Sequence, residues 1–374
     1  MKVLILSCNT GEGHNMAGKA MKEALEMVGH EAVMLDYMKL SSVRTSKAVG
    51  GAYINVAKYT PHFFYLLYKA GLKISSAKRK SPVYYTNSLM AKYLKKYLEE
   101  NNFDVILMPH IFPAETITYM KREKIINQKT IAISTDYTCI PFWEETECDA
   151  YIIPHERMMD EYIKRGIPKD KLYPLGIPVR QDFLMKENMK KAKKDLNLNI
   201  DKPMYLIMSG SMGFGKIQLF TFELNKQCKN GEQIVVICGN NQNLKRVLEK
   251  EFKNQSNVYI IGYTDRISIY MDAADVVYTK PGGLTSTEVI VKNRPLVHTS
   301  PIPGCETKNM EFFMEKGMSL HSKKISEQIE QGKTLLYNDK IREKILENQR
   351  ENAKKSAAKD IIKLMNTLIN KENN

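Results

Sequence analysis

Residues 275–309, DVVYTKPGGLTSTEVIVKNRPLVHTSPIPGCETKN, repeat one arrangement twice. An apolar run from Asp275 to Thr279 ends in Lys280-Pro281-Gly282-Gly283, and a helical pattern follows. A second apolar run, Pro295 to Thr299, ends in Pro301-Ile302-Pro303-Gly304 before another helical pattern. Strand, tight loop, helix is the repeating unit of a parallel sheet, because a parallel neighbour is reached only by a crossover.

Working outward, the same alternation occurs at Met204 to Ser209, Gln233 to Cys238 and Val258 to Ile261. Closer to the N-terminus it recurs at Lys2 to Cys8, Glu31 to Asp36, Asp104 to Pro109, Thr130 to Ser134 and Ala150 to Pro154. Two such series give an α/β chain with two Rossmann-like domains facing a cleft. The turn-rich Pro174–Pro178 and the basic stretch from Lys186 to Leu196 mark the boundary. The domains are therefore expected at 1–180 and 181–374, with the Lys-rich C-terminal helices belonging to the second.

The length of 374 residues suits two domains, and 43% hydrophobic with 26% charged residues is a globular composition. Six scattered cysteines with no CxxC pair argue against a zinc ribbon or disulfide framework, so a reducing cytoplasm is expected. The start, MKVLILSC, reads as a strand and not as a signal peptide. No window has 18 uncharged apolar residues, so any membrane association is expected to be peripheral.

In an open α/β sheet, ligands bind beyond the carboxyl ends of the strands. Gly210-Ser211-Met212-Gly213-Phe214-Gly215-Lys216 lies there, either as a phosphate-approaching loop or as a tight turn. It is neither a P-loop, since Ile217 follows the lysine, nor the dinucleotide fingerprint. Lys280, Gly282, Gly283 and Leu284, with the hydroxyls of Thr285, Ser286 and Thr287, make a diphosphate site at a helix start. Glu288, one turn in, is placed to hold ribose hydroxyls. An N-capped helix is the alternative. Glu306 and Asn309 are three apart at another helix start and suit sugar hydroxyls, or else close a plain turn. Cys238-Gly239 and the Tyr263 loop present backbone to a base edge.

The formal charge of +14 is concentrated. No acidic residue lies between Asp36 and Glu99, a stretch that holds Lys39, Lys69, Lys73, Arg79, Lys80 and Lys92 among its cations. Phe63, Phe64, Tyr65, Tyr68, Tyr84 and Tyr85 are interleaved. Helices broken at Gly50-Gly51, Pro61, Gly71 and Pro82 are expected here, and Val56 to Leu72 reads as a helix lying in a membrane plane. An anionic leaflet, nucleic acid and an ordinary solvated face all fit the composition alone.

These motifs resemble the monogalactosyldiacylglycerol synthase and processive diacylglycerol glucosyltransferase family, of glycosyltransferase family 28 type. GSMGFGK, KPGGLTSTE and PIPGxExxN stand in the family's order, each at a strand end. The resemblance implies the glycosyltransferase B (GT-B) fold, with UDP-glucose or UDP-galactose in the C-terminal domain and diacylglycerol in the N-terminal one. It places Gly282, Gly283, Thr285, Ser286 and Thr287 on the diphosphate, Glu288 on ribose, Tyr263 by uracil, and Glu306 and Asn309 on the sugar. Gly11-Glu12-Gly13-His14 matches the glycine-rich loop, and Thr135-Asp136, Trp143 and His110 match the acceptor side. Cys305 stands where the family usually has glutamine, which leaves the donor sugar open.

The expected chemistry is base-assisted transfer by His14, with Asp136 the competing base. Backbone donors rather than a metal are expected to take the leaving-group charge, since there is no DxD pair. The expected setting is the cytoplasmic face of the cell membrane, on an anionic surface, with no nucleic acid and no obligatory protein partner. The rival readings are a UDP-GlcNAc transferase acting on a polyprenyl-linked peptidoglycan precursor, and a UDP-sugar epimerase.

Overall fold

The computed structural model describes residues 1–208, 210 and 215–370, apart from the side chains at 53, 54, 57 and 58. The chain forms two compact units. The first comprises Met1–Gln181, Pro303–Cys305 and the chain from Lys354 onward; the second comprises Asp182–Ile302 and Glu306–Ala353.

The first unit carries β1 (Lys2–Ser7), β2 (Glu31–Asp36), β3 (Val105–Met108), β4 (Lys129–Ile133), β5 (Ala150–Ile152) and β6 (Leu172–Tyr173). They form one parallel sheet in the order β2-β1-β3-β4-β5-β6. Alternate residues share a face, so Val3 and Ile5, Val105 and Leu107, and Ile131 and Ile133 build one core layer. The helix Glu12–Met27 covers that layer with Met21 and Leu25.

The same layer is also covered by Ile361, Ile362 and Met365 of the helix Ala357–Asn370. This corrects the expected assignment for that last helix alone; Ile325–Tyr337 and Asp339–Asn352 lie in the second unit. Fully burying each such side chain is worth about 1.5–3 kcal/mol, and the first sheet supplies the apolar face that accepts them.

The second unit holds β7 (Met204–Met208), β8 (Gln233–Ile237), β9 (Val258–Ile261), β10 (Val276–Thr279), β11 (Leu296–His298) and β12 (Leu320–His321). Its sheet is parallel throughout, in the order β12-β11-β10-β7-β8-β9. Tyr205, Ile207, Ile234, Val236, Val276 and Tyr278 form the inner layer, with Phe220, Leu224, Ile329 and Leu335 packed on it.

Each strand order reverses once, between β1 and β3 and between β7 and β10. At such a reversal the flanking helices depart to opposite faces and leave a crevice beyond the strand ends. Those two places are where the functional loops are sought.

The basic stretch forms the helices Val43–Tyr59, Pro61–Ile74, Pro82–Ser88 and Ala91–Glu100. The two prolines open helices, as their missing N–H and fixed φ allow. The glycines do not break them. Gly50 lies inside the first helix because a Cβ there would stand 2.1 Å from the Asn9 carbonyl oxygen. The break expected at Pro61 is present, so Val56 to Leu72 spans the end of one helix and most of the next. Among the described residues no helix is long and apolar enough to cross a membrane.

Candidate active site

The crevice of the first unit is formed by the loops after β1 and β3. Gly11 precedes the helix Glu12–Met27, which sets His14 in its first turn with no side chain capping the helix start. Gly13 is exposed beside it. His14 Nδ1 lies 2.9 Å from the Pro109 carbonyl oxygen and 2.8 Å from Thr135 Oγ1. A carbonyl only accepts, so Nδ1 carries the proton and donates, and Nε2 of the neutral ring keeps its lone pair.

Desolvation of the ring pushes the His14 pKa below that of ordinary histidine, against the pull of the Asp136 carboxylate and the Pro109 carbonyl. Asp136 is half-buried, and its charge favours the imidazolium that forms when His14 takes a proton.

His110 stands edge-on to His14, with ring centroids 4.7 Å apart. It accepts from the Phe112 N–H at Nδ1, 3.1 Å, and so caps the helix Ile111–Arg122. Its Nε2–H then donates to Thr10 Oγ1 at 2.6 Å. Burial and the neighbouring His14 hold it well below the usual imidazole pKa. His110 thus fixes the loop and lies on the pocket wall.

Beside these groups a pocket of about 520 Å³ opens, lined by Val49, Val56, Phe64, Leu67, Tyr68, Ile111 and Trp143 together with His14, Thr135 and Asp136. Its walls are mostly hydrocarbon, with His14, His110, Thr135 and Asp136 the main polar groups and Tyr68 and Cys305 further ones. Trp143 is buried and packs edge-on against Tyr151. The sequence reading names His14, His110, Asp136 and Trp143 on this wall, but not the pocket's hydrocarbon lining, which comes from several separate stretches of the chain.

In the second unit, the loops after β7 and β10 meet. Gly210 has φ +71°, and its α-carbon lies so close to Lys280 that a Cβ would be 2.8 Å from Cε of that lysine. Ser211 and Gly213 lie outside the described residues, and Gly215 is exposed at φ +96°. The helix Gly283–Lys292 starts at Gly282 with no side-chain cap. The N–H groups of Gly283, Leu284 and Thr285 therefore point out of the helix end, which carries about half a positive charge. Lys280 stands beside it, ion-paired with Glu306. A helix end of this kind suits an anion such as a diphosphate.

Not all the expected hydroxyls point there. Ser286 is buried against His298, with Oγ 3.0 Å from Nε2, and Thr287 donates to the Gly283 carbonyl at 2.8 Å. Successive helical residues turn by about 100°, so three in a row do not share one face. Thr285 is the half-exposed one. His298 also meets Ser319 Oγ at 3.1 Å, and burial drives its pKa down to about 3. Glu288 is buried in the following turn.

Glu306 pairs with Lys280, and its second oxygen accepts from the Ile302 N–H at 2.8 Å. Asn309 is fully buried and donates to the Pro281 carbonyl at 3.1 Å. Both residues brace the Lys280–Gly283 loop, a role that spacing alone does not reveal because Lys280 lies 26 positions from Glu306. Cys305 is half-buried at the start of the helix Cys305–Glu315. Cys238 is buried, with its thiol pKa pushed up to about 11, so it is a packing residue; Gly239 turns at φ +57°. The Tyr263 side chain is exposed.

Residues 14–179 match the family model of monogalactosyldiacylglycerol (MGDG) synthase, and residues 204–365 match the glycosyltransferase family 28 C-terminal domain. A processive diacylglycerol β-glucosyltransferase of Staphylococcus saprophyticus is 30% identical over 326 residues, covering 84% of this chain and 80% of that protein. The protein of the same name from Bacillus licheniformis is 27% identical over 383 residues, covering 99% and 97%. Among solved structures, Acinetobacter baumannii MurG matches with a TM-score of 0.63 at 14% identity, covering 98% of this chain and 99% of that one.

Two parallel-sheet units with ligand loops at both reversals define a GT-B type fold. Within that class, the chain belongs to the family of monogalactosyldiacylglycerol synthases and processive diacylglycerol β-glucosyltransferases.

Proposed function

We propose that this protein transfers a hexose from a UDP-sugar to the free hydroxyl of diacylglycerol. The observation that carries the reading is the open lone pair of His14 Nε2 beside a pocket whose walls are mostly hydrocarbon. An acceptor that suits it has one reactive hydroxyl on an apolar body.

The acceptor oxygen attacks the anomeric carbon while its proton passes to His14 Nε2, and the bond from that carbon to the UDP oxygen breaks. Asp136 stabilises the imidazolium, and UDP departs with its electron pair. The charge gathering on UDP is met by the N–H groups of Gly283–Thr285 and by Lys280, donors held in place before reaction. The uracil and ribose are assigned to the Tyr263 loop and Glu288. In this reading the protein's own positive groups do the work of a metal.

The deciding assay gives the enzyme diacylglycerol vesicles and labelled UDP-glucose or UDP-galactose, with and without excess chelator. A labelled glycolipid formed equally in both arms is expected. Transfer only to a polyprenyl-linked precursor, or a new sugar nucleotide without lipid, overturns the reading in favour of the corresponding rival, and loss of activity with chelator overturns the metal-free step.

We also infer that the enzyme works on the cytoplasmic surface of an anionic membrane. Phe63, Leu66, Leu67 and Ile74 of the helix Pro61–Ile74 are exposed, as are Tyr85 and Leu89, in the segment that lacks acidic residues. Each cation near an anionic leaflet contributes about 1 kcal/mol. Binding to vesicles with anionic lipid should exceed binding to neutral ones at least tenfold and weaken with salt. The double variant Phe63→Glu/Leu66→Glu should lose most of it. Equal binding to neutral vesicles sinks this assignment.

A further inference from the structure

Resting on that reading, we propose that the pocket admits one acyl chain of the acceptor and leaves the other in the bilayer. The first argument is volume. A methylene fills about the space of a liquid water molecule, roughly 30 Å³. The cavity of about 520 Å³ therefore has room for one long chain.

The second argument is where the apolar surface continues. The helix Pro61–Ile74 sends Phe64 and Tyr68 into the pocket and leaves Phe63 and Leu66 outside. Leu67 lines the pocket yet is 49% exposed, so it stands at the mouth. A lipid lodged by one chain finds hydrocarbon on the outer side of the same helix for its second chain. Its hydroxyl end is fixed by the polar groups, which are gathered at His14, Thr135 and Asp136.

The third argument is rigidity, which turns a hydrophobic hollow into a measuring device. The helix rests on the 141–142 segment so closely that a Cβ at Gly71 would lie 3.1 Å from Pro141 Cβ. Phe142 is held in the left-handed region at φ 79°, its N–H donating to Ser75 Oγ at 2.8 Å. A non-glycine residue persists there only when its surroundings over-determine it. The wall does not recede to admit a longer chain, so the enzyme selects chain length.

Acceptors of graded length test this directly. Monoacylglycerol should be glycosylated with kcat/KM within a few-fold of diacylglycerol. Activity should fall at least tenfold once the chain exceeds the cavity. Val49→Trp, which fills the pocket, should raise KM for a 16-carbon acceptor at least tenfold more than for an 8-carbon acceptor, with UDP affinity kept. Val49→Ala should shift the preference towards longer chains, and it keeps the test open if the larger side chain is not tolerated.

Trp143 is the single tryptophan and lines the cavity, so a monoacylglycerol brominated in mid-chain should quench its fluorescence without any turnover. Indifference to chain length in the wild type and both variants, or no quenching, overturns the one-chain pocket. No transfer to any glycerolipid, with UDP binding intact, instead overturns the proposed function.

Discussion

His14→Ala is expected to lower kcat by about two to four orders of magnitude, the span typical of a lost general base. UDP affinity should change little, because the proposed diphosphate site lies in the second unit. The proton on Nδ1 is committed to the Pro109 carbonyl, which leaves Nε2 unprotonated and able to accept. The working form is the neutral ring. Since burial lowers the His14 pKa, activity should survive through neutrality and fall as pH drops below the ordinary histidine value near 6.5. That acid limb should disappear in His14→Ala.

Asp136→Asn removes the charge that favours the imidazolium, so the limb should move to still lower pH while kcat falls less than in His14→Ala. The measurement is a pair of pH–rate profiles for transfer to diacylglycerol. If Asp136→Asn is the inactive variant and His14→Ala retains its rate, the base is Asp136.

The largest effect on stability is expected at Asp272. Its carboxylate is 2% exposed, 2.6 Å from the Lys292 ammonium and 3.7 Å from the Arg294 guanidinium. Lys292 is 1% exposed, and burial pushes the Arg294 pKa below its ordinary value. Two cations thus share one anion in a nearly dry site. Asp272→Asn leaves both uncompensated and should cost about 3–5 kcal/mol.

Lys292→Met should cost less, because Arg294 still faces the carboxylate. Hydrogen exchange of β7 and β10 amides under urea reads the second unit separately; Trp143 fluorescence reports the first. Lys292 also anchors the far end of the helix whose start is the proposed diphosphate site, and donates to the Met185 carbonyl. Saturating UDP should therefore raise the urea midpoint of both variants. Equal costs for the two substitutions would show that the cluster does not act as two cations on one carboxylate.

The parallel sheets were legible because strand ends are punctuated by glycine and proline, and KPGGLTSTE lies directly at one. What sequence spacing does not carry is direction. Thr285, Ser286 and Thr287 look like three ligands in a row, but helical rotation turns two of them into the protein. Glu306 and Asn309 look like sugar contacts, yet their partners, Lys280 and the Pro281 carbonyl, are far off in the chain. The pocket's hydrocarbon lining left no local signal. Periodicity shows that a helix has an apolar face, never which neighbour covers it, and that is also why Ala357–Asn370 was assigned to the wrong sheet.

That helix has a bearing on biosynthesis. Residues 1–181 leave the ribosome first, but the hydrophobic layer of their sheet is not sealed until Ile361, Ile362 and Met365 arrive, after the whole second unit has been made. The nascent N-terminal half therefore waits with an uncovered patch through nearly two hundred residues of translation. A stop codon before Ala357 would spoil the half of the molecule that was synthesised earliest.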